Sequence, residues 1–124
     1  MENFAMAYMN RGANTYQMRD AKKALEDYDK CISIREHLQN NGVEQDIFDV
    51  FMAYKNRAIA YETLDNTKAA IGDNIFALRA LKGEISHQYE LKEIYFECLG
   101  ETLEMINREG DKALYDSVSR EFNN

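Results

Sequence analysis

The sequence predicts an all-α fold of six helices arranged as three antiparallel hairpins. Three observations lead there. The 124 residues include no Pro, so the strongest helix breaker is absent throughout. Apolar residues recur at steps of three and four, the period of an amphipathic helix. The chain also repeats itself. Sliding Ala7–Ile32 by 46 positions onto Ala53–Leu78 matches Ala7/Ala53, Tyr8/Tyr54, Asn10/Asn56, Arg11/Arg57, Lys22/Lys68, Ala24/Ala70 and Asp27/Asp73. Ordinary composition gives about one or two such matches by chance.

The elements follow in order. Helical spacing runs from Glu2 to Met18, and Arg19-Asp20 then breaks it, with Asp20 placed to cap the next helix. The second helix carries Ala21, Ala24, Leu25, Tyr28, Cys31, Ile32 and Leu38 and ends at Gln39-Asn40-Asn41-Gly42, where Gly can take a left-handed conformation. A third helix spans about Gln45 to Leu64, closed by Asp65-Asn66, and a fourth about Thr67 to Lys82. After the joint at Gly83 and Ser86, a long fifth helix reaches about Ile106. Asn107-Arg108-Glu109-Gly110 ends it, and the last helix runs from Asp111 to Phe122. The expectation is one domain, 1–124, with hairpins at about 2–40, 44–82 and 85–122.

Small residues explain the pairing. Gly12 and Ala24, then Ala58 and Ala70, place a minimal side chain on each helix of a pair, which lets the two helices approach closely. A weaker third copy, read by sliding a further 42 positions, puts Gly100 and Ala113 in those roles.

Composition narrows the function. The chain is 45% hydrophobic and 30% charged, which excludes collagen-like, mucin-like and low-complexity classes. A net charge of −7 and a pI of about 4.8 oppose a phosphate-binding footprint, so no nucleic-acid partner is expected. Cys31 and Cys98 show neither CxxC spacing nor clustered His, so they read as reduced core residues, and no metal or cofactor is expected. The N-terminal stretch lacks the basic start and apolar run of a signal peptide, which predicts a cytoplasmic protein without membrane contact. The histidines, His37 and His87, fall at a helix end and a joint with no Ser or Cys in motif spacing, and no nucleotide-binding, HExxH or nucleophile-elbow pattern occurs. The chain is expected not to be an enzyme.

The residues Tyr8, Gly12, Tyr16, Ala24, Leu25, Tyr28 and Ile32, repeated as Tyr54, Ala58, Tyr61, Ala70, Ile71, Ala77 and Leu78, resemble the tetratricopeptide repeat family. A fainter copy is Phe96, Leu99, Gly100, Leu103, Ala113 and Leu114. Two departures accompany the resemblance: the steps of 46 and 42 exceed the family's usual 34, and Glu36 stands where a Pro usually closes the second helix. The resemblance implies a right-handed α-solenoid whose concave face, lined by the first helix of each hairpin, holds a peptide segment of another protein. Carried over, the inward positions are Met6, Met9, Ala13 and Tyr16, then Met52, Lys55, Ile59 and Glu62, then Ile94, Glu97, Glu101 and Glu104. Asn56 matches one position of the carboxylate clamp known in chaperone-binding members. The other clamp positions hold Met9, Ala13, Ile94 and Cys98, so that clamp is absent.

Partner-binding residues are therefore expected at Met9, Tyr16, Lys55, Asn56, Ile59, Glu62, Glu97, Glu101 and Glu104. Met residues of this kind more often fill core gaps, and a run such as Glu90, Glu93, Glu97, Glu101 and Glu104 is most often a solvated face. As a binding surface, it points to an apolar or basic protein or peptide. Arg11 and Arg57 are expected to pair with carboxylates of a neighbouring helix, such as Glu62 or Glu104, in preference to the alternative of an acidic ligand. An alternative role is self-association. The last helix bears Tyr115, Val118 and Phe122 with no seventh helix to cover them, which predicts a homodimer interface there. A sensor domain of a regulator is a further alternative.

Overall fold

The computed structural model describes residues 2–85 and 88–123, in which the chain forms six helices and no strand. They are α1 (Glu2–Gln17), α2 (Ala21–Asn40), α3 (Ile47–Thr63), α4 (Thr67–Lys82), α5 (Tyr89–Arg108) and α6 (Lys112–Phe122). Ser86 and His87, named above as joint residues, lie outside the described residues. No helix among the described residues is long and apolar enough to cross a membrane.

Side-chain caps set four of the helix starts. The carboxylates of Asp20, Asp46 and Asp111 and the amide oxygen of Asn66 accept from the backbone N–H groups of Lys23, Asp49, Leu114 and Ala69. Helix α3 therefore begins at Ile47 rather than at Gln45, whose amide is used elsewhere. Gln45 accepts from Arg35 at 3.4 Å and donates to the Arg35 carbonyl at 3.0 Å, pinning the α2–α3 joint to buried Arg35.

The turn inside each hairpin has one geometry. Arg19, Asp65 and Gly110 have φ of 66°, 61° and 74°, and the N–H of the following cap residue reaches back five residues to a carbonyl. Those bonds run from Asp20 to Thr15 at 3.2 Å, from Asn66 to Tyr61 at 2.8 Å and from Asp111 to Ile106 at 3.4 Å. A left-handed turn at a helix C-terminus normally selects Gly, yet two of the three are made by Arg and Asp.

Above the turn, α1 and α2 run antiparallel in close contact. A Cβ added at Gly12 would lie 2.7 Å from Cε1 of Tyr28 and 3.3 Å from the Ala24 carbonyl. Arg11 Nε and Nη2 donate to both carboxylate oxygens of buried Asp27 at 2.9 and 2.7 Å, and Arg57 grips Asp73 in the same way, both bonds at 2.8 Å. The rings of Tyr8 and Tyr54 complete each constellation, 5.5 and 5.9 Å from the guanidinium carbons. Three of the seven repeat identities thus form one structural device made twice, and Arg57 adds a bond to Asp29 of the preceding hairpin at 3.1 Å. The structural pairing of the two arginines is as expected, but the partners are not. Glu62 meets Arg108 instead, and the aspartate sixteen residues after each arginine lies directly across the hairpin.

The third hairpin departs from the sequence reading. Counted from the caps, Asp111 stands 45 positions after Asn66, so Leu103 and Tyr115 occupy the places of Ala58 and Ala70. Gly100 has open space where a Cβ would be and Ala113 is exposed, so neither makes a close helix approach. Thr102 and Val118, both buried, replace the Arg–Asp pair.

The expected dimer stripe on α6 is also corrected. Val118 and Phe122 are each 2% exposed, covered by α4 and α5 of the same chain, and Tyr115 is half-buried against the same core. The phenol of Tyr95 donates to the Phe122 carbonyl at 2.7 Å, and the two rings meet edge to face. Arg79 of α4 clamps Glu121 at 2.8 and 3.1 Å, and Lys82 donates to the Glu121 carbonyl. Val118 and Phe122 therefore belong to the chain's own core, while Tyr115 stays partly exposed.

Candidate functional site

The first helices of the three hairpins, α1, α3 and α5, lie side by side, and polar contacts stitch them together. The hydroxyls of Tyr16 and Thr63 are 2.9 Å apart between α1 and α3. Between α3 and α5, Lys55 donates to Glu101 at 2.6 Å and Arg108 to Glu62 at 3.4 Å. The face they build holds two adjoining clefts. One, of about 160 Å³, lies between Ala13, Tyr16 and Gln17 of α1 and Asn56 and Ile59 of α3, over the ring of Tyr28. The other, of about 320 Å³, lies between Phe48, Met52, Lys55, Asn56 and Ile59 of α3 and Ile94, Glu97 and Glu101 of α5. Asn56 and Ile59 line both, so the two clefts adjoin across α3.

Helical spacing explains why these side chains converge. Phe48, Met52, Lys55 and Ile59 step by four, three and four, and Ile94, Glu97 and Glu101 by three and four, so each set lies on one stripe of its helix. Phe48 and Ile59 remain exposed, forming a half-open apolar floor. The rim is acidic. Lys55 neutralises Glu101 and has a side chain only 18% exposed, so it is held as a strut between helices. Glu97 makes no ion pair among the described residues. Cys98 lies beneath, where burial pushes its thiol above the usual range despite the nearby Lys55 charge, and a protonated thiol is a poor nucleophile. The described residues include no cluster of metal-ligating side chains.

Of the expected partner-binding residues, Tyr16, Lys55, Asn56, Ile59, Glu97 and Glu101 line the clefts. Glu62 is exposed beside Arg108, and Glu104 is exposed without lining either cleft. Met9 is a correction. It is 8% exposed and packs with Ala5, Cys31, Ile32 and Ala53 in the seam between the first hairpin and α3, where a flexible thioether fills the gap. Phe48 was missed, although it lies one turn before Met52 on the same stripe, the signal that would have found it. Comparison with family models, curated proteins and solved structures finds no match to this chain.

Proposed function

We propose that the chain is a non-enzymatic protein-interaction module, a tetratricopeptide-like solenoid that holds an extended segment of a partner protein across α1, α3 and α5. The observation that supports this reading is that the two clefts adjoin at Asn56 and Ile59. Adjoining clefts over three helices, with an apolar floor and carboxylates on the rim, match a peptide presenting apolar and basic side chains better than they match a compact metabolite. The uncompensated carboxylate of Glu97 favours the basic component and steers association at low salt.

Selecting displayed peptides against the protein tests the proposal. Enriched sequences should be apolar and basic, and Ile59→Asp should weaken their binding by about tenfold or more, as loss of a central apolar anchor does. Peptides that bind equally well to the Ile59→Asp variant would overturn the assignment of this face.

A further inference from the structure

A larger opening lies on another side of α3. Ile47, Val50 and Tyr54 step by three and four along a stripe roughly a third of a turn from Phe48 and Ile59, and they floor a trough of about 600 Å³ between α2 and α4. The trough exists because α2 continues to Asn40 and the α2–α3 joint then folds over as an overhang, with Val43 exposed at its lip. Its opposite wall is Phe76, 54% exposed, with its ring stacked on Tyr54 at 5.4 Å between centroids. A large aromatic side chain held in place by stacking yet open to water is a ready platform for another group.

The charges around this platform are uneven. Glu36 and Glu44 flank the α2 side, both exposed and without an ion pair among the described residues. The C-terminal ends of α2 and α4 also border the trough, and their partial negative charge adds to that of the carboxylates. Among the described residues that line the trough, the cation is Arg79, already committed to both oxygens of Glu121. The trough thus combines an aromatic platform with unneutralised carboxylates and, among the described residues, no free cation.

We infer that the trough between α2 and α4 is a second docking site, which takes an arginine-bearing, apolar segment of a partner protein. An arginine guanidinium stacks over Phe76 while its N–H groups reach Glu36 or Glu44, and a neighbouring apolar side chain covers Val43. The trough extends past the aromatic pair to Val43 and the overhang, so it accommodates a run of residues rather than a single cation. This inference is independent of the α1–α3–α5 face, because no residue lines both.

The test uses a fluorescein-labelled peptide of alternating Arg and Leu, its Lys–Leu and Glu–Leu counterparts, and N-acetylarginine amide, titrated against the full chain. Binding is followed by fluorescence polarisation and by amide chemical shifts. The Arg–Leu peptide should bind more tightly than the Lys–Leu peptide, the Glu–Leu peptide should not bind, and the shifts should centre on Glu36, Glu44, Tyr54 and Phe76. In an Ile59→Asp background, which silences the α1–α3–α5 face, Glu36→Lys with Glu44→Lys, and separately Phe76→Ser, should each weaken the remaining binding about tenfold. All these side chains are exposed, and circular dichroism verifies that the variants fold. No binding at roughly millimolar peptide, shifts confined to α5, or indifference to the Glu36 and Glu44 reversals would overturn the inference. So would N-acetylarginine amide binding as tightly as the peptide, which would reduce the trough to a single-cation pocket.

Discussion

Between α1 and α2, and again between α3 and α4, small residues let the helices close up while an arginine reaches across to a buried aspartate. Between α5 and α6 neither device is present. There the small pair becomes Leu103 and Tyr115, the ion pair becomes Thr102 and Val118, and closure falls to Tyr95 and Phe122 with clamps from α4 onto Glu121. The first two hairpins are registered by a charged pair across the turn, whereas the third is sealed by buried apolar and aromatic groups packed on α4 and α5.

The largest effect expected from breaking this comparison is at the seal. Phe122→Ala should cost about 3–5 kcal/mol in chemical denaturation, because it empties a fully enclosed site under α6. Next comes the repeated ion pair. Asp73→Ala leaves the Arg57 guanidinium, whose side chain is 20% exposed, without its main partner and should cost about 3 kcal/mol. Asp27→Ala should cost less, since the side chain of Arg11 is 64% exposed and water can solvate it.

Two glycines sharpen the contrast by sign. Gly12→Ala should destabilise by about 1–3 kcal/mol, because the new methyl meets the buried Tyr28 ring and the Ala24 carbonyl. Gly100→Ala, in open space on α5, should stabilise by about 0.5–1 kcal/mol through helix propensity.

The smallest effect is on pH dependence. The hydrogen bonds from Arg11 hold the Asp27 carboxyl below its ordinary 3.8, and those from Arg79 hold Glu121 below 4.5. The unfolded chain therefore binds protons at a higher pH than the folded one. Stability should be complete above about pH 5 and fall as the pH drops through this window. Asp27→Asn should flatten that fall, measured as denaturation midpoint against pH.

Much of the fold was legible because its signals are local. Asp20, Asn66 and Asp111 punctuate the chain as caps, and apolar spacing between them sets the helices to within about two residues. The Arg–Asp device was visible as repeated identities, but not as a pair, because connecting residues sixteen apart requires knowing how the hairpin turns. The register of the third hairpin was hidden for a related reason: its small residues, Gly100 and Ala113, suggested one alignment, while the left-handed Gly110 before the Asp111 cap fixes another. Met9 and Phe122 show the limit of periodicity. A stripe on one helix is readable, but whether another element covers it depends on packing between hairpins that are distant in sequence. The candidate face was reached by carrying the inward positions of the resembled repeats onto Tyr16, Ile59 and Glu97, and spacing served only to group them on one side of each helix. The trough was not legible, because it arises from an overhang between helices.

The central claim is that partner segments lie across α1, α3 and α5. It is tested most directly by mapping amide chemical shifts of the protein on adding the peptide that display selection enriches most. The account predicts perturbations running from Tyr16 through Asn56 and Ile59 to Ile94, Glu97 and Glu101, and little change on α6. Shifts that leave Asn56 and Ile59 unmoved while the peptide binds would contradict it.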